Sequence, residues 1–518
     1  METKANYYPV GVQNFESLRT DNYMYIDKTS MVYQLVKGGR YYFLSRPRRF
    51  GKSLLISTLE AYFEGKKKLF EGLAIERLEK EWLTYPVLHM DLNAEKFDTP
   101  EGLNQILERH LNLWEDRWGK DIREKSFSDR FVGIIRRASE QAGQRVVILI
   151  DEYDKPMLQA IDNDELQDFY RNTLKAFYGV LKSMDGYIKF AFLTGVTKFG
   201  KVSVFSDLNN LMDISMDDRF VEICGITERE IHAYFEEELH ILAQKQDMDY
   251  EQVCRELKEC YDGYHFTEQS VGMYNPFSLL NTFARMKFGS YWFETGTPTY
   301  LVKLLQQTHY NLYDMAHTET DADVLNSIDA ASKNPIPVIY QSGYLTIKGY
   351  DKMFGLYRLG FPNREVEEGF VKYLFPYYTR VNQVDTSFQI MKFVKEVCAG
   401  DYDAFFRRLQ SFFADTPYEL VRDLELHYQN VLFIVFKLVG FYVKAEYHTS
   451  EGRIDLVLQT DRFIYVMEFK LDGTAEDALL QIDEKGYALP FASDPRRLFR
   501  VGVNFNSQTR NIEKWLVR

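Results

Sequence analysis

The stretch Tyr41 to Leu55, YYFLSRPRRFGKSLL, limits the fold of this chain more than any other. Tyr41 to Leu44 reads as a short buried strand, Ser45 to Gly51 as a tight loop, and Lys52 onward as the start of a helix. A strand, a tight loop and a helix in that order aim backbone N–H groups into one small volume, where an anion can collect them. In such a loop Lys52 carries a mobile positive charge to the β- and γ-phosphates of a nucleotide, and the Ser53 hydroxyl takes a magnesium-ligand position. The phosphates would then lie along Arg48, Arg49, Phe50, Gly51, Lys52 and Ser53. The usual spacing puts a glycine five residues before the Gly-Lys pair, and here that position is Arg46. Either the loop enters with a different dihedral angle, or the Arg46 guanidinium itself faces the phosphates. The plain alternative for GKS is a basic strand-to-helix turn.

A second stretch stands in the right relation to the first. Arg145 to Asp154 reads RVVILIDEYD, with five apolar residues from Val146 to Ile150 followed by two carboxylates. An unbroken Val/Ile/Leu run is the pattern of a strand buried on both faces of a parallel sheet, and such sheets place ligands at their carboxyl ends. Asp151 there can hold magnesium through water, and Glu152 can polarise the water that attacks a γ-phosphate. A purely structural role would require partners for both carboxylates, since an unpaired buried pair is costly. Tyr85 to Asp91 and Ile188 to Thr194 repeat the strand signal, ending in a carboxylate and a hydroxyl. Thr194 can contact the γ-phosphate or its water, the alternative being ordinary strand-end structure. Lys198 and Lys201 follow just outside that end.

At 518 residues the chain exceeds a single core, so two to four domains are expected. A hydrophobic content of 45% is globular, no segment approaches the apolar length of a membrane span, and the first residues, METKANYYPVGVQNF, are expected to lack a signal-peptide core. Four scattered cysteines form neither a zinc pattern nor a disulfide framework, so the expectation is a reduced, cytoplasmic protein. A net charge of -13 excludes a generally basic, DNA-coating surface but not a local nucleic-acid channel.

Elsewhere the pattern alternates. Tyr25-Ile26 reads as a brief strand, with Asp27 as cap of the helix behind it. Leu103 to Trp118 and Phe127 to Ala142 read as amphipathic crossover helices. Thr227 to Glu230 is a capping box, Pro276 marks a helix start, and the aromatics of YDGYHF read as core and lid packing. His232 and His240 lack metal-ligand spacing and read as structural. From Pro335 the pattern becomes short strands with turns at Gly343, Gly349 and Pro362, before helices resume at Glu365 and Tyr402.

The second chemical set lies near the C-terminus. Gly452 to Lys470, GRIDLVLQTDRFIYVMEFK, reads as two strands joined at Thr460-Asp461. Alternation puts Glu468 and Lys470 on one face with Phe469 opposite, and Asp455 comes within reach in a hairpin register. Two carboxylates can hold a divalent metal, and a nearby lysine can orient water and offset phosphate charge. On the helix before the hairpin, Glu425 can reach the metal end; after it, Gln481 and Lys485 share a helical face and Tyr487 follows.

Taken together, YIDKT, the Tyr41–Leu55 stretch, ILIDEYD, FLTGVTKF, YDGYHF, YNPFSLL, and GRIDLVL through MEFKLDG resemble an AAA-ATPase-like family with a C-terminal PD-(D/E)xK nuclease-superfamily domain, over nearly the whole chain. The resemblance implies an α/β fold: a P-loop ATPase core over 1–225 with a parallel sheet, a helical lid over 226–334, a connecting helical and small-sheet module over 335–415, and a mixed α/β restriction-endonuclease-like domain over 416–518. It implies nucleotide and magnesium roles for Lys52, Ser53, Asp151 and Glu152, and a nuclease triad of Asp455, Glu468 and Lys470. Glu425 is then a helical metal ligand, and Gln481 and Tyr487 are the supporting motif. The expected activity is ATP binding and hydrolysis coupled to metal-dependent cleavage of DNA or RNA, with Mg2+, or Mn2+ at the nuclease-like site. The competing class is a nucleotide-dependent signalling or scaffold protein whose nuclease-like domain binds without cutting. Expected partners are nucleic acid, a protein, or a second copy of the chain, and no membrane.

Overall fold

The computed structural model describes residues 7–161, 163–198, 210–293, 299–315, 318–326, 334–379, 381–414, 424–450 and 453–518, without the side chains of 299–300, 424, 447–450 and 453–455. The chain divides into two compact units, Met1–Gly296 with Glu319–Glu365, and Thr297–Thr318 with Val366–Arg518. The first is built on a parallel sheet with helices, the second on a mixed sheet. Among the described residues no helix is long and apolar enough to cross a membrane.

The first sheet consists of β1 (Tyr41–Ser45), β2 (Val87–Asp91), β3 (Val146–Asp151), β4 (Ile188–Gly195) and the short β5 (Met212–Asp213), in the order β2-β3-β4-β1-β5 and all parallel. Every residue of β3 is buried, which is why its sequence does not alternate. The register pairs Leu44 with Thr194, Ile150 with Leu193 and Asp91 with Asp151, so the carboxyl ends of β1, β3 and β4 finish side by side. The crossover helix Phe127–Ala142 has the bounds expected from its sequence, because a Ser126/Asp129 capping box opens it and Gly143, in the left-handed region, stops it. Its Phe131 stacks on Phe177 of the next crossover helix at 4.5 Å.

Beyond the sheet, a ribbon of β6 (Ile226–Thr227) and β7 (Met273–Tyr274) leads into helices whose apolar faces gather around Phe235, Leu239, Leu257 and Phe283. The Thr227/Glu230 capping box is present in both directions, and Asn275 caps the helix that Pro276 begins. A small antiparallel sheet follows: β8 (Glu319–Thr320), β9 (Thr346–Asp351) and β10 (Leu356–Gly360), in the order β8-β10-β9. Three local expectations are corrected in this unit. Ile336–Gln341 is a helix, because Pro337 sits in its first turn, where the missing N–H costs nothing. Gly349 lies inside β9 opposite Arg358, and the turn falls instead at Lys352–Gly355, where Asp351 accepts from the Met353 and Phe354 amides. Tyr25-Ile26 forms no strand; Asp27 does serve as a cap, accepting from Thr29 and from the Ala74 amide of another helix.

The second unit carries β11 (Lys444–Ser450), β12 (Arg453–Gln459), β13 (Phe463–Leu471), β14 (Arg497–Asn506) and β15 (Asn511–Val517) in sequence order. All pairs are antiparallel except β13 with β14, which are joined by the helix Ala475–Glu484. Ile464 and Val466 pack toward Leu479 and Ile482 of that helix. The alternate residue Phe469 meets Phe406 and Phe436 on the other face. A Cβ at Gly502 would fall 2.1 Å from the Ala475 carbonyl oxygen, so only glycine lets the helix settle on β14.

Candidate functional site

In the first unit the site is assembled by strand ends. Gly51, with φ of 94°, ends the loop after β1 and hands its chain to the helix Lys52–Phe63. Lys52 is buried; its Nζ donates to the carbonyls of Arg46 (3.1 Å) and Pro47 (3.3 Å) and lies 3.4 Å from Glu152 Oε1. Asp151, at the end of β3, accepts from Thr194 Oγ1 and from the Ser53 hydroxyl. Burial pushes the Asp151 carboxyl above the usual range, reinforced by the Glu152 charge and opposed by the Ser53 and Thr194 hydrogen bonds and by Lys52. Glu152 adopts φ of 54°, a sparsely populated conformation for a residue with a Cβ, and it does so at the carboxyl edge of the sheet, where parallel sheets in general place ligands.

Lys52, Ser53, Asp151, Glu152 and Thr194 therefore come together. The rest of the loop divides. Arg48 and Arg49 are exposed, Arg49 lying over the Phe277 ring, and the Arg48 carbonyl accepts from Trp292 Nε1. The Phe50 side chain turns into the core against Tyr264 and Phe266, so only its backbone can face a ligand. Arg46 does not face the loop's interior. Its guanidinium is buried, donates to the Ser45 and Ser215 carbonyls at 2.9 and 2.8 Å, and stacks 3.9 Å from the Phe266 ring. Lys198 is held by Asp213 and Asn326, and Lys201 lies outside the described residues.

An apolar cavity of about 100 Å³ opens beside Gly51, walled by Met24, Ile26, Leu54, Gly225 and Leu280. Sequence reasoning missed two groups near this edge. Lys28 lines the same cavity and pairs with Glu230 at 2.5 Å, across a separation of 202 residues that no local pattern reports. Asp154, the last residue of ILIDEYD, is fully buried and accepts from the Val196 and Thr197 amides and the Thr197 hydroxyl. Burial, then the Glu152 charge, pushes its carboxyl up to about 6. Its signal was in view, as the next carboxylate of a run already read as a ligand edge.

In the second unit the hairpin register pairs Asp455 with Glu468 and Arg453 with Lys470. Glu468 is fully buried, with Lys470 Nζ 3.6 Å from its Oε1. Lys470 also donates to Gln481 Oε1 on the helix Ala475–Glu484, so the supporting glutamine meets the lysine. The side chain of Asp455 lies outside the described residues. Glu425 is in the first turn of the helix Leu424–Gly440 and accepts from Gln429. Tyr487 lines a cavity on this sheet. Hard oxygen donors suit Mg2+ or Mn2+: Asp151 and Ser53 in the first unit and the buried Glu468 carboxylate in the second have that chemistry. Among the described residues, however, no group of three or more acidic, cysteine or histidine side chains is gathered as a metal site.

A family model described as Predicted AAA-ATPase matches residues 9–205, and one described as PD-(D/E)XK nuclease superfamily matches residues 423–515. A protein of Azotobacter chroococcum mcd 1, described as an uncharacterized protein in the vnfD 5' region, is 35% identical over 520 residues that cover 98% of both chains.

Proposed function

The chain belongs to the AAA-ATPase-like family and ends in a PD-(D/E)XK nuclease-superfamily domain, and from that premise we propose that it binds and hydrolyses ATP and couples this to metal-dependent phosphodiester cleavage of nucleic acid. In this reading 1–225 is a P-loop core, 226–334 its helical lid, 335–415 a connecting module and 416–518 a restriction-endonuclease-like domain. The observation that carries the reading is the convergence of Lys52, Ser53, Asp151, Glu152 and Thr194 at the carboxyl ends of three adjacent parallel strands, beside an apolar cavity. The base packs against the apolar residues at the mouth of the cavity, and the phosphates take Lys52 from the Arg46 and Pro47 carbonyls. Glu152 holds the attacking water, and Thr194 orients Asp151.

In the C-terminal domain Glu468 and Asp455 would hold the metal, with Glu425 as a further ligand; in the ATP site Ser53 and Asp151 would. Mg2+ or Mn2+, when bound, offsets phosphate charge and acidifies water. Lys470, steadied by Gln481, orients the nucleophile and balances charge at the scissile phosphate, with Tyr487 supporting that edge.

Calorimetry with ATP and cleavage of plasmid and oligonucleotide substrates in Mg2+ or Mn2+, with and without ATP, test the two halves. Lys52→Ala should lose ATP affinity, Glu152→Gln should keep binding but slow turnover about 100-fold, and Asp455→Ala should lose cleavage alone. Equal ATP affinity in wild type and Lys52→Ala refutes the nucleotide site. Nucleic-acid binding without cleavage in either metal refutes the nuclease and leaves a nucleotide-dependent binding protein.

A further inference from the structure

The C-terminal sheet carries a feature that the triad does not use. On β12 and β13 the pair Asp455–Glu468 is followed, one same-face step along the sheet, by Val457–Val466 and then by Gln459–Ile464. β11 extends these rows with Glu446 opposite Val457 and Lys444 opposite Gln459. Over the second and third rows lies a cavity of about 540 Å³, floored by Val457 and Val466 and flanked by the rings of Tyr487 and Phe491. That volume is in the range of sites that enclose small organic molecules, roughly 300–1,000 Å³.

The rim decides what the cavity can take. Lys444 pairs with Glu446 at 3.2 Å, and Arg496 pairs with Asp494 at 2.7 Å. Arg496 also donates to the Thr460 carbonyl and to Gln459 Oε1. The rim charges thus satisfy one another and hold the edge in place. An anionic group entering between them would meet both signs and gain little. A flat, uncharged ring would bury apolar area against the floor and stack on an aromatic side chain.

The distance from the triad supplies the rest. One same-face step is about 6.5–7 Å of strand, comparable to one nucleotide of extended backbone. A strand with its phosphate at the Glu468 row therefore brings an adjacent base over the Val457 row. We propose that this cavity is a nucleobase subsite for single-stranded nucleic acid, receiving an unpaired base next to the phosphate that the triad acts on. A base within a duplex cannot reach it without leaving its stack, so the site selects single-stranded or opened substrate. The proposal rests on the nuclease reading for its occupant and on the cavity for its chemistry.

Fluorescence anisotropy with the full-length protein in Ca2+ tests it, using a short single-stranded oligothymidine and an oligonucleotide of equal length and charge built only of abasic residues. Wild type should bind the base-containing strand about tenfold more tightly. Val457→Phe fills the cavity and Phe491→Ala removes a ring, and each should bring the ratio near one. Using two variants of opposite volume change, each checked for an intact unfolding transition, separates the site from a folding defect. Equal wild-type affinity for the two strands overturns the proposal, as does a base preference that survives in both variants. No binding of either strand overturns it together with the nuclease reading. A base preference that disappears in the variants, without Mg2+-dependent cleavage by wild type, supports the subsite and refutes cleavage.

Discussion

Replacing Arg46 by glycine would restore the usual spacing of a phosphate loop, and on motif grounds alone it should be harmless or helpful. The structure assigns it a large cost. Two charge-assisted hydrogen bonds, to the Ser45 and Ser215 carbonyls at 2.9 and 2.8 Å, are lost, at about 2 kcal/mol each. The stack over Phe266 at 3.9 Å goes with them, about 2 kcal/mol in a desolvated setting. The emptied volume and the freer backbone add about 2 kcal/mol. Against this stands the burial penalty of the cation itself. Burial holds the Arg46 guanidinium down to about 10, which amounts to about 3 kcal/mol at ~1.36 kcal/mol per pKa unit, and its removal is a gain. The net is a loss of about 5 kcal/mol from the N-terminal unit. Four of the five tryptophans, Trp82, Trp114, Trp118 and Trp292, lie in that unit, so urea unfolding followed by tryptophan fluorescence reads it. An Arg46→Gly protein within about 1 kcal/mol of wild type, or one binding ATP more tightly, would refute the assignment of Arg46 to the core.

Three further outcomes are expected. Glu468→Gln removes a fully buried carboxylate that faces Lys470 at 3.6 Å and should abolish cleavage while costing the C-terminal unit about 1–3 kcal/mol, because Lys470 is left without its counter-charge; Trp515 reports that unit, and an unchanged or raised stability would count against the Glu468–Lys470 pair as a contribution to the fold. Asp154 has its carboxyl raised to about 6, so the folded state keeps a proton that the unfolded chain has released. Its contribution is full below the ordinary carboxylate range and lost as pH rises through about 6, about 3 kcal/mol in all, and Asp154→Asn should lack that slope in urea titrations of the N-terminal unit. His427, pulled down to about 4 by burial, has the opposite sign: the unfolded chain charges first, so stability falls by up to about 3 kcal/mol as pH drops from the ordinary imidazole range to about 4. His427→Leu should remove that acid sensitivity, and an unchanged slope would exclude His427 as its source.

Much of the site was legible because its signals are local. Buried strands read as unbroken apolar runs, so Val146–Ile150 announced a central strand and put Asp151 and Glu152 at its end. The Phe127–Ala142 helix could be bounded from sequence because Ser126 and Gly143 act within one turn of its ends. The hairpin was visible for the same reason: alternation puts Glu468 and Lys470 on one face, and a short polar turn brings Asp455 into register. Where local signals compete, the reading failed. The segment Ile336–Gln341 is rich in β-branched residues, a pattern that predicts strand, yet it folds as a helix, and Gly349 predicts a turn although it lies inside a strand with Arg358 across from it.

Local patterning along the chain is enough to say which chemical groups stand at the ends of which strands, because periodicity, capping and loop spacing act over a few residues. Which way those groups turn is settled by packing. Arg46 points into a shell of carbonyls from Ser45 and Ser215 and away from the loop interior, and Phe50 joins the core. Lys28 finds Glu230 across 202 residues, and Asp154 binds the two amides beyond β4. Each of these choices satisfies a buried polar group or fills a space created by a distant segment, and that requirement exists only once the segments have packed together.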